Sequence, residues 1–298
     1  MAIQPEAVAT FQASRPRYSE WRRVVRIFFR RRVSVIGLVI ILGLIVTAIF
    51  APLLAPYDPY VVDLPNRLQD PSSAHWLGTD SVGRDVLSRV IYGARTSLLV
   101  ALGAMGMAAV IGQTLGLIAG YFEGWVFQVI MRITDGMMAI PMLISALVIA
   151  FVLGGGVRNV IIALGVAMAA GQCRMMCGQV LSVKQNDYVL AGRTIGVGHL
   201  RMMLRHIYPN AFQPLLVMIT IGLGMTILSE AGLSFLGVGI TAPTAAWGSM
   251  INYGYQYLLT SPVLSIAPGV AIMLVVFGFN MMGDGLRDAL DPRLRGTL

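Results

Sequence analysis

The chain has 298 residues, 56% of them hydrophobic and 12% charged, with a formal net charge of +8 and a mean hydropathy of +0.74. Soluble domains carry roughly a quarter charged residues, so the composition excludes an ordinary soluble enzyme. It points to one polytopic, all-α membrane bundle. The basic excess lies in loops between apolar runs, a positive-inside pattern rather than a nucleic-acid face, so membrane lipid and not nucleic acid is the expected environment.

Residues 1–32 form a basic tail that includes Arg15, Arg17, Arg22, Arg23, Arg26, Arg30, Arg31 and Arg32. An uncharged run, 33–57, follows and is long enough to cross a bilayer. It is too long for the apolar region of a signal peptide, and Pro52, Pro56 and Pro59 suit its end. Residues 58–95 are polar and turn-rich, with five Asp and four Arg, and read as one external segment.

The remaining core, 96–283, reads as five further spans, for six in all. Span two, Thr96–Phe122, carries Gly103, Gly106, Gly112, Gly116 and Gly120, small residues that let membrane helices approach closely. Span three runs from Phe127 to Leu153, with Arg132 and Asp135 spaced to pair. Gly154-Gly155-Gly156 breaks the chain, and span four runs from Asn159 to about Leu181. Span five covers about Ala211–Leu236, span six Leu264–Met282, and 284–298 forms a second tail.

Residues 184–210 interrupt the apolar pattern. Asn186 is placed to cap a short helix with Asp187 in its first turn, and Gly196 and Gly198 permit a left-handed stop. A second short helix from His199 is expected to end before Pro209. Leu200, Met203, Leu204 and Ile207 would form its apolar stripe, with Arg201 and Arg205 on another face. Such a pair of helices suits either a docking partner or an interfacial anchor.

The chemistry-bearing residues are few. Lys184, the only lysine, lies in Val183-Lys184-Gln185, so the Gly-Lys-Ser/Thr of a phosphate-binding loop is absent. His75, His199 and His206 form no His-Glu pair, and Cys173 and Cys177 alone make a poor metal site. No catalytic residue, metal or cofactor of the chain's own is expected. Glu230 stands about 27 Å along span five, counted from Phe212. It reads either as an interfacial carboxylate or as a residue of the translocation path. An ion-driven transporter would want a relay of such groups, and a membrane enzyme paired carboxylates or histidines.

Three stretches resemble a known family. Ala191-Gly192-Arg193-x-x-Gly196, with Pro209-Asn210 downstream, is similar to the EAA loop of permease subunits in bacterial ABC importers, with Leu190, Gly192 and Tyr208 departing from the usual residues. Leu77-Gly78-Thr79-Asp80-Ser81-Val82-Gly83-Arg84-Asp85-Val86-Leu87-Ser88-Arg89 resembles the GTD-x-x-GRD-x-x-SR motif of peptide and nickel permeases. Phe279 to Arg293 is similar to the closing FNLLGDGLRDALDPR of their C-type subunit, and Ser234-Phe235-Leu236-Gly237 and Trp247-Gly248 also match. The resemblance covers about 20–295.

It implies a type I ABC importer permease, C-type, of the dipeptide/oligopeptide/nickel kind, in a bacterial inner membrane. The implied partners are a B-type permease, two ATP-binding subunits that hold ATP and Mg, and an external solute-binding protein. Cargo among relatives spans dipeptides, oligopeptides, glutathione, haem and nickel complexes. It assigns ATPase coupling to Asp187, Ala191, Gly192, Arg193, Gly196, Arg205, Pro209 and Asn210. Asp80, Arg84, Asp85 and Arg89 read either as a self-satisfied polar knot or as an external gate or binding-protein contact.

The charge distribution also predicts orientation. With both termini cytoplasmic, the inner face holds eight arginines of the first tail, four Lys/Arg of 184–210 and three of the second tail, against four in 58–95 plus Arg158 outside. A cysteine replacing Ser72, in a chain lacking Cys173 and Cys177, is expected to react with a membrane-impermeant maleimide added to intact cells. Protection of that cysteine until the membrane is opened would contradict the orientation.

Overall fold

A computed structural model describes residues 18–290, with side chains from Arg22 onward. Residues 1–17 and 291–298, including Arg15, Arg17, Arg293, Arg295 and the final Asp291-Pro292-Arg293 of the closing motif, lie outside the described residues. The elements are α1 (Tyr18–Arg30), α2 (Arg32–Ile49), the short α3 (Ala51–Leu54), a 3-10 turn (Leu64–Asn66), α4 (Val86–Phe122), α5 (Gly124–Met138), α6 (Met142–Leu153) and α7 (Val157–Val183). They continue with α8 (Asp187–Thr194), α9 (His199–Arg201), a π-helical turn (Met202–Ile207), α10 (Tyr208–Phe235), α11 (Trp247–Tyr255) and α12 (Val263–Leu290). Five stretches are long and apolar enough to cross a membrane as single helices, and α5 with α6, bent by 89°, makes a sixth.

Several boundaries differ from the sequence expectation, each for a local reason. The first run stops at Ile49 and restarts as α3, with Pro52 at its beginning. The basic tail is helical as α1 and separated from α2 by Arg31, whose backbone is extended. Span two starts ten residues early, at Val86, because Asp85 caps it: its carboxylate accepts from Ser88 N–H at 2.8 Å. Span three is broken at Ala139–Pro141, where proline supplies no N–H and closes α5 off from α6. Span six extends to Leu290, so part of the expected tail is helix.

The bundle is organised around α4. Its 37 residues measure about 55 Å at 1.5 Å per residue, well over the ~30 Å hydrocarbon thickness. Gly112, Gly116 and Gly120 lie against α7 so closely that an added Cβ would stand 2.6 Å from Gln172 Cβ, 2.8 Å from Met176 Cβ and 2.8 Å from Val180 Cβ. Backbone contact of this kind is how helices associate where lipid removes the hydrophobic drive. Gln113 of α4 donates to Gln172 of α7 at 3.2 Å, and the Tyr208 hydroxyl at the start of α10 donates to Gln113 at 2.9 Å. These buried bonds join three helices.

The other contacts follow the same logic. Gly37 of α2 faces Met281 of α12, Gly224 of α10 faces Phe279 of α12, and Gly248 of α11 lies on the Ala231 backbone of α10. The Trp247 ring covers Gly93 of α4 and donates to Val90 O at 2.9 Å, which accounts for the Trp-Gly pair. Val110, Phe151 and Val152 are exposed, as lipid-facing residues are.

Replacing Gly116 with Val puts a branched side chain into the α4–α7 contact, and overpacking costs about 1–3 kcal/mol. Gly106, on the same helix, has nothing within 4 Å. The expected result is a lowered melting temperature of the detergent-purified protein for Gly116→Val and an unchanged one for Gly106→Val. Equal melting temperatures would contradict the seam.

Candidate functional site

Two sites stand at opposite ends of α4. At the N-terminal end the Gly-Thr-Asp and Gly-Arg-Asp residues form a knot. Thr79 Oγ1 donates to Asn66 O at 2.6 Å and accepts from Gln69 N–H at 2.9 Å. Asp80 accepts from Val82 N–H, from Arg84 N–H and, at 2.7 Å, from Arg84 Nε. Gly83 is in the left-handed region, φ +82°, with the Asp63 carbonyl directly behind it. That backbone position leaves no room for a side chain.

Asp85 and Arg89, four residues apart on the sequence, do not pair with each other. Asp85, 3% exposed, is consumed by helix capping and by His75, whose Nδ1 lies 2.9 Å from its Oδ1. Arg89, 2% exposed, instead donates to Pro59 O at 3.0 Å and Pro243 O at 3.3 Å, with Asp80 3.7 Å from its Nε. One guanidinium therefore ties the loop after α3, α4 and the loop before α11 together. Arg84 is also buried, and Asp80 is half-buried.

Glu230 is wholly buried, 0% exposed. Its Oε1 accepts from the Ser234 hydroxyl at 2.7 Å, and that hydroxyl in turn accepts from Ile240 N–H at 2.9 Å. Oε2 and the Ser97 hydroxyl of α4 are buried without a hydrogen-bond partner among the described residues. The carboxylate lies inside the helix packing and braces the turn that leaves α10.

At the C-terminal end of α4, α8 and α9 meet Tyr121 through Arg193 and His199. Gly196 has φ +77° and ends α8 as expected, whereas Gly198 has φ −61° and is not left-handed. Asn186 occupies the capping position, but its side chain donates to Val183 O and caps nothing. The second helix does not stop before Pro209. It passes through the π-helical turn into α10, with Tyr208 N–H bonded to Met203 O, and this wider turn accommodates a proline that has no N–H to give. The wider turn also splits the expected apolar stripe: Met202, Met203 and Ile207 are buried, while Leu200 and Leu204 are exposed.

Of the residues named for coupling, Asp187, Ala191, Arg193, Gly196, Arg205, Pro209 and Asn210 are exposed, and Gly192 is half-buried against Met202. The Asn210 amide donates to His206 O at 2.7 Å. Leu190 and Ile195, the latter 81% exposed, add apolar surface. Sequence reasoning missed what holds this element. Lys184 donates to Tyr121 O at 2.8 Å, capping the carbonyl end of α4, and to Glu123 Oε1 at 2.7 Å. Its ammonium holds the Glu123 carboxyl below the usual carboxylate range. The Tyr121 hydroxyl is 2.8 Å from His199 Nδ1, and Arg193 stands 5.8 Å from the Tyr121 ring centre. The one signal in the sequence was that Lys184 is alone of its kind.

Arg132 and Asp135 do not pair. Asp135 meets Arg174 of α7 instead, because the break at Pro141 lets α5 lie along α7. Cys173 and Cys177 are free and buried, and no group of three metal-ligating side chains occurs among the described residues.

Lys184→Gln removes the charged donor from the α4 terminus. A charge-assisted bond at a site 13% exposed is worth about 1–2 kcal/mol, or roughly 5–30-fold in local opening. Hydrogen exchange of 187–201 is expected to speed up by that factor, with Lys184→Arg close to wild type. Unchanged exchange in Lys184→Gln would contradict the clamp.

The comparisons with known proteins agree with this architecture. The family model described as binding-protein-dependent transport system inner membrane component matches 112–296, and that of the N-terminal TM domain of oligopeptide transport permease C matches 19–71. The dipeptide transport system permease protein DppC of Alkalihalophilus pseudofirmus is 41% identical over 93% of this chain and 91% of its own length. The glutathione transport system permease proteins GsiD of Pectobacterium atrosepticum and Escherichia coli are each 40% identical, covering 92% and 99% of this chain and 92% and 94% of their own. A structure of the MetNI methionine ABC transporter in inward-facing conformations matches with a TM-score of 0.56 at 19% identity, over 68% of this chain and 97% of that one. That last likeness concerns the fold, a type I permease. The chain is a multi-pass inner-membrane protein that belongs to the binding-protein-dependent transport system inner membrane components, as a permease subunit of an ABC importer.

Proposed function

We propose that this chain is the C-type half of a heterodimeric permease, imports small peptides of dipeptide to glutathione size, and has both termini in the cytoplasm. ATP and Mg belong to two separate ATP-hydrolysing subunits, one of which docks on the α8–α9 element, while an external solute-binding protein delivers cargo to the other face. The chain itself performs no covalent chemistry. The relatives named for dipeptide and glutathione transport support the cargo class.

The observation that carries the coupling role is the combination of an exposed, partly apolar surface (Leu190, Ile195, Leu200, Leu204) with rigid attachment through Lys184 and Tyr121. A docking element must present contacts and also transmit displacement. Nucleotide-driven movement of an ATPase against it would carry α4 and α7 along and exchange outward- for inward-facing arrangements. Leu190, where relatives usually have glutamate, makes the contact more apolar.

At the external face, the knot of half-buried Asp80 with buried Arg84, Asp85 and Arg89 holds the surface that meets the binding protein, and gating there means moving the knot as a body. Glu230 acts on the translocation path through the Ser234–Ile240 turn; direct contact with cargo would require α4 and α10 to part. An ion-driven mechanism finds little support, since Glu230 is the one wholly buried carboxylate among the described residues.

Gly196→Val tests the coupling role. Nothing lies within 4 Å of an added Cβ at Gly196, so the effect is confined to backbone conformation, about 1–2 kcal/mol for a left-handed non-glycine residue. Membrane levels should stay normal while uptake and ATPase docking are lost. Gly196→Asn, which tolerates this region, should retain both. Wild-type uptake by Gly196→Val would overturn the assignment in favour of an interfacial anchor.

A further inference from the structure

The basic helix α1 has no part in the coupling element or the external knot. At 100° per residue, Arg22, Arg23, Arg26 and Arg30 fall within a sector of about 100°, with Val24, Val25 and Phe28 on the far side. Its apolar side is only partly covered. Phe28 packs on α12, where a Cβ at Gly285 would come 3.2 Å from its ring, and Arg31 pairs with Asp288 of the same helix. Val25 and Phe29 stay exposed, beside exposed Arg22, Arg26 and Arg30. Arg31 is the one arginine of this segment with an ion pair among the described residues, and Arg23 Nε is buried there with no acceptor.

Depth decides what complements this surface. Span α2 begins at Arg32, a single residue beyond α1, and the extended Arg31 prevents the two from forming one continuous helix. α1 is thereby held at the level where the hydrocarbon ends, against the last turns of α12. A folded protein partner would cover the arginines but leave Val25 and Phe29 against headgroups. A bilayer surface satisfies both, with the apolar side at the acyl boundary and guanidinium forks on phosphodiester oxygens.

We propose that α1 is a binding surface for acidic phospholipids of the leaflet at the inner end of the bundle, with Arg22, Arg23, Arg26 and Arg30 as its headgroup contacts. The inference rests on the proposed cytoplasmic orientation of the termini. By seating α1, the lipid also fixes the α2–α12 pair through the Arg31–Asp288 contact.

The test uses the complete importer in nanodiscs of phosphatidylcholine, with and without phosphatidylglycerol, reading the phosphatidylglycerol retained on the complex by native mass spectrometry. Each arginine near such a surface is worth roughly fivefold, so Arg22→Gln/Arg23→Gln/Arg26→Gln should weaken retention on the order of a hundredfold. The corresponding triple lysine variant should keep most of it, and retention in wild type should fall with added salt. Retention equal in wild type and the glutamine variant overturns the proposal. Loss of an ATP-binding subunit in the glutamine variant, with lipid retention unchanged, overturns it in favour of a protein contact. Maleimide labelling of a cysteine at Ser72 fails separately if the orientation itself is wrong.

Discussion

Three glycines one turn apart on α4 let its backbone touch that of α7, and most of the remaining structure hangs from that contact. Inside a bilayer there is no hydrophobic gain in burying one apolar helix against another, so association depends on close packing and on hydrogen bonds that lipid cannot replace. Gly112, Gly116 and Gly120 provide the packing, and the Tyr208–Gln113–Gln172 chain provides the bonds and brings α10 into the same unit. Because α4 is longer than the hydrocarbon layer is thick, what is fixed along it is also fixed at its ends.

The two ends use that rigidity differently. At the N-terminal end, Asp85 caps α4 while Arg89 draws the carbonyls of Pro59 and Pro243 onto it, and Trp247 seats α11 on Gly93. Loops distant in sequence are thereby held as one surface. At the C-terminal end, the last carbonyls of α4 are held by Lys184, which begins the segment 184–210, and Tyr121 reaches His199 in its second half. The α8–α9 element meets the spine at Tyr121 through His199 and Arg193, while its far side remains exposed. Displacement applied to that side has a direct route into α4 and α7, and through Gln113 and Tyr208 into α10.

Much of this was legible in the sequence where a residue's local chemistry decides the outcome. Uncharged runs and arginine placement located the spans, Gly196 demanded a left-handed turn, and the glycines of span two announced a close approach. The rest depended on partners far along the chain. Asp85 and Arg89 have helical spacing, yet a capping role claims the first and two distant carbonyls claim the second. Pro141 and Pro209 are alike in lacking an N–H, but one ends a helix and the other is absorbed by a π-helical turn; only the packing of Met202, Met203 and Ile207 distinguishes them. Counting residues leaves Glu230 open between an interfacial carboxylate and the translocation path, and it cannot see that Ser234 and the packing around it bury the group. Lys184 gave no motif at all: its role comes from where α4 happens to end.

The central claim is that the coupling element and α4 move as one body. It is tested most directly by paired spin labels in the complete importer, one at Thr194 and one at Phe122, with a second pair between Thr194 and the partner permease. On cycling from nucleotide-free to ATP-bound, pulsed dipolar spectroscopy should give an unchanged Thr194–Phe122 distance while the distance to the partner permease shifts. A Thr194–Phe122 distance that changes as much as the other would mean that the element swivels on its own, and would contradict rigid coupling through α4.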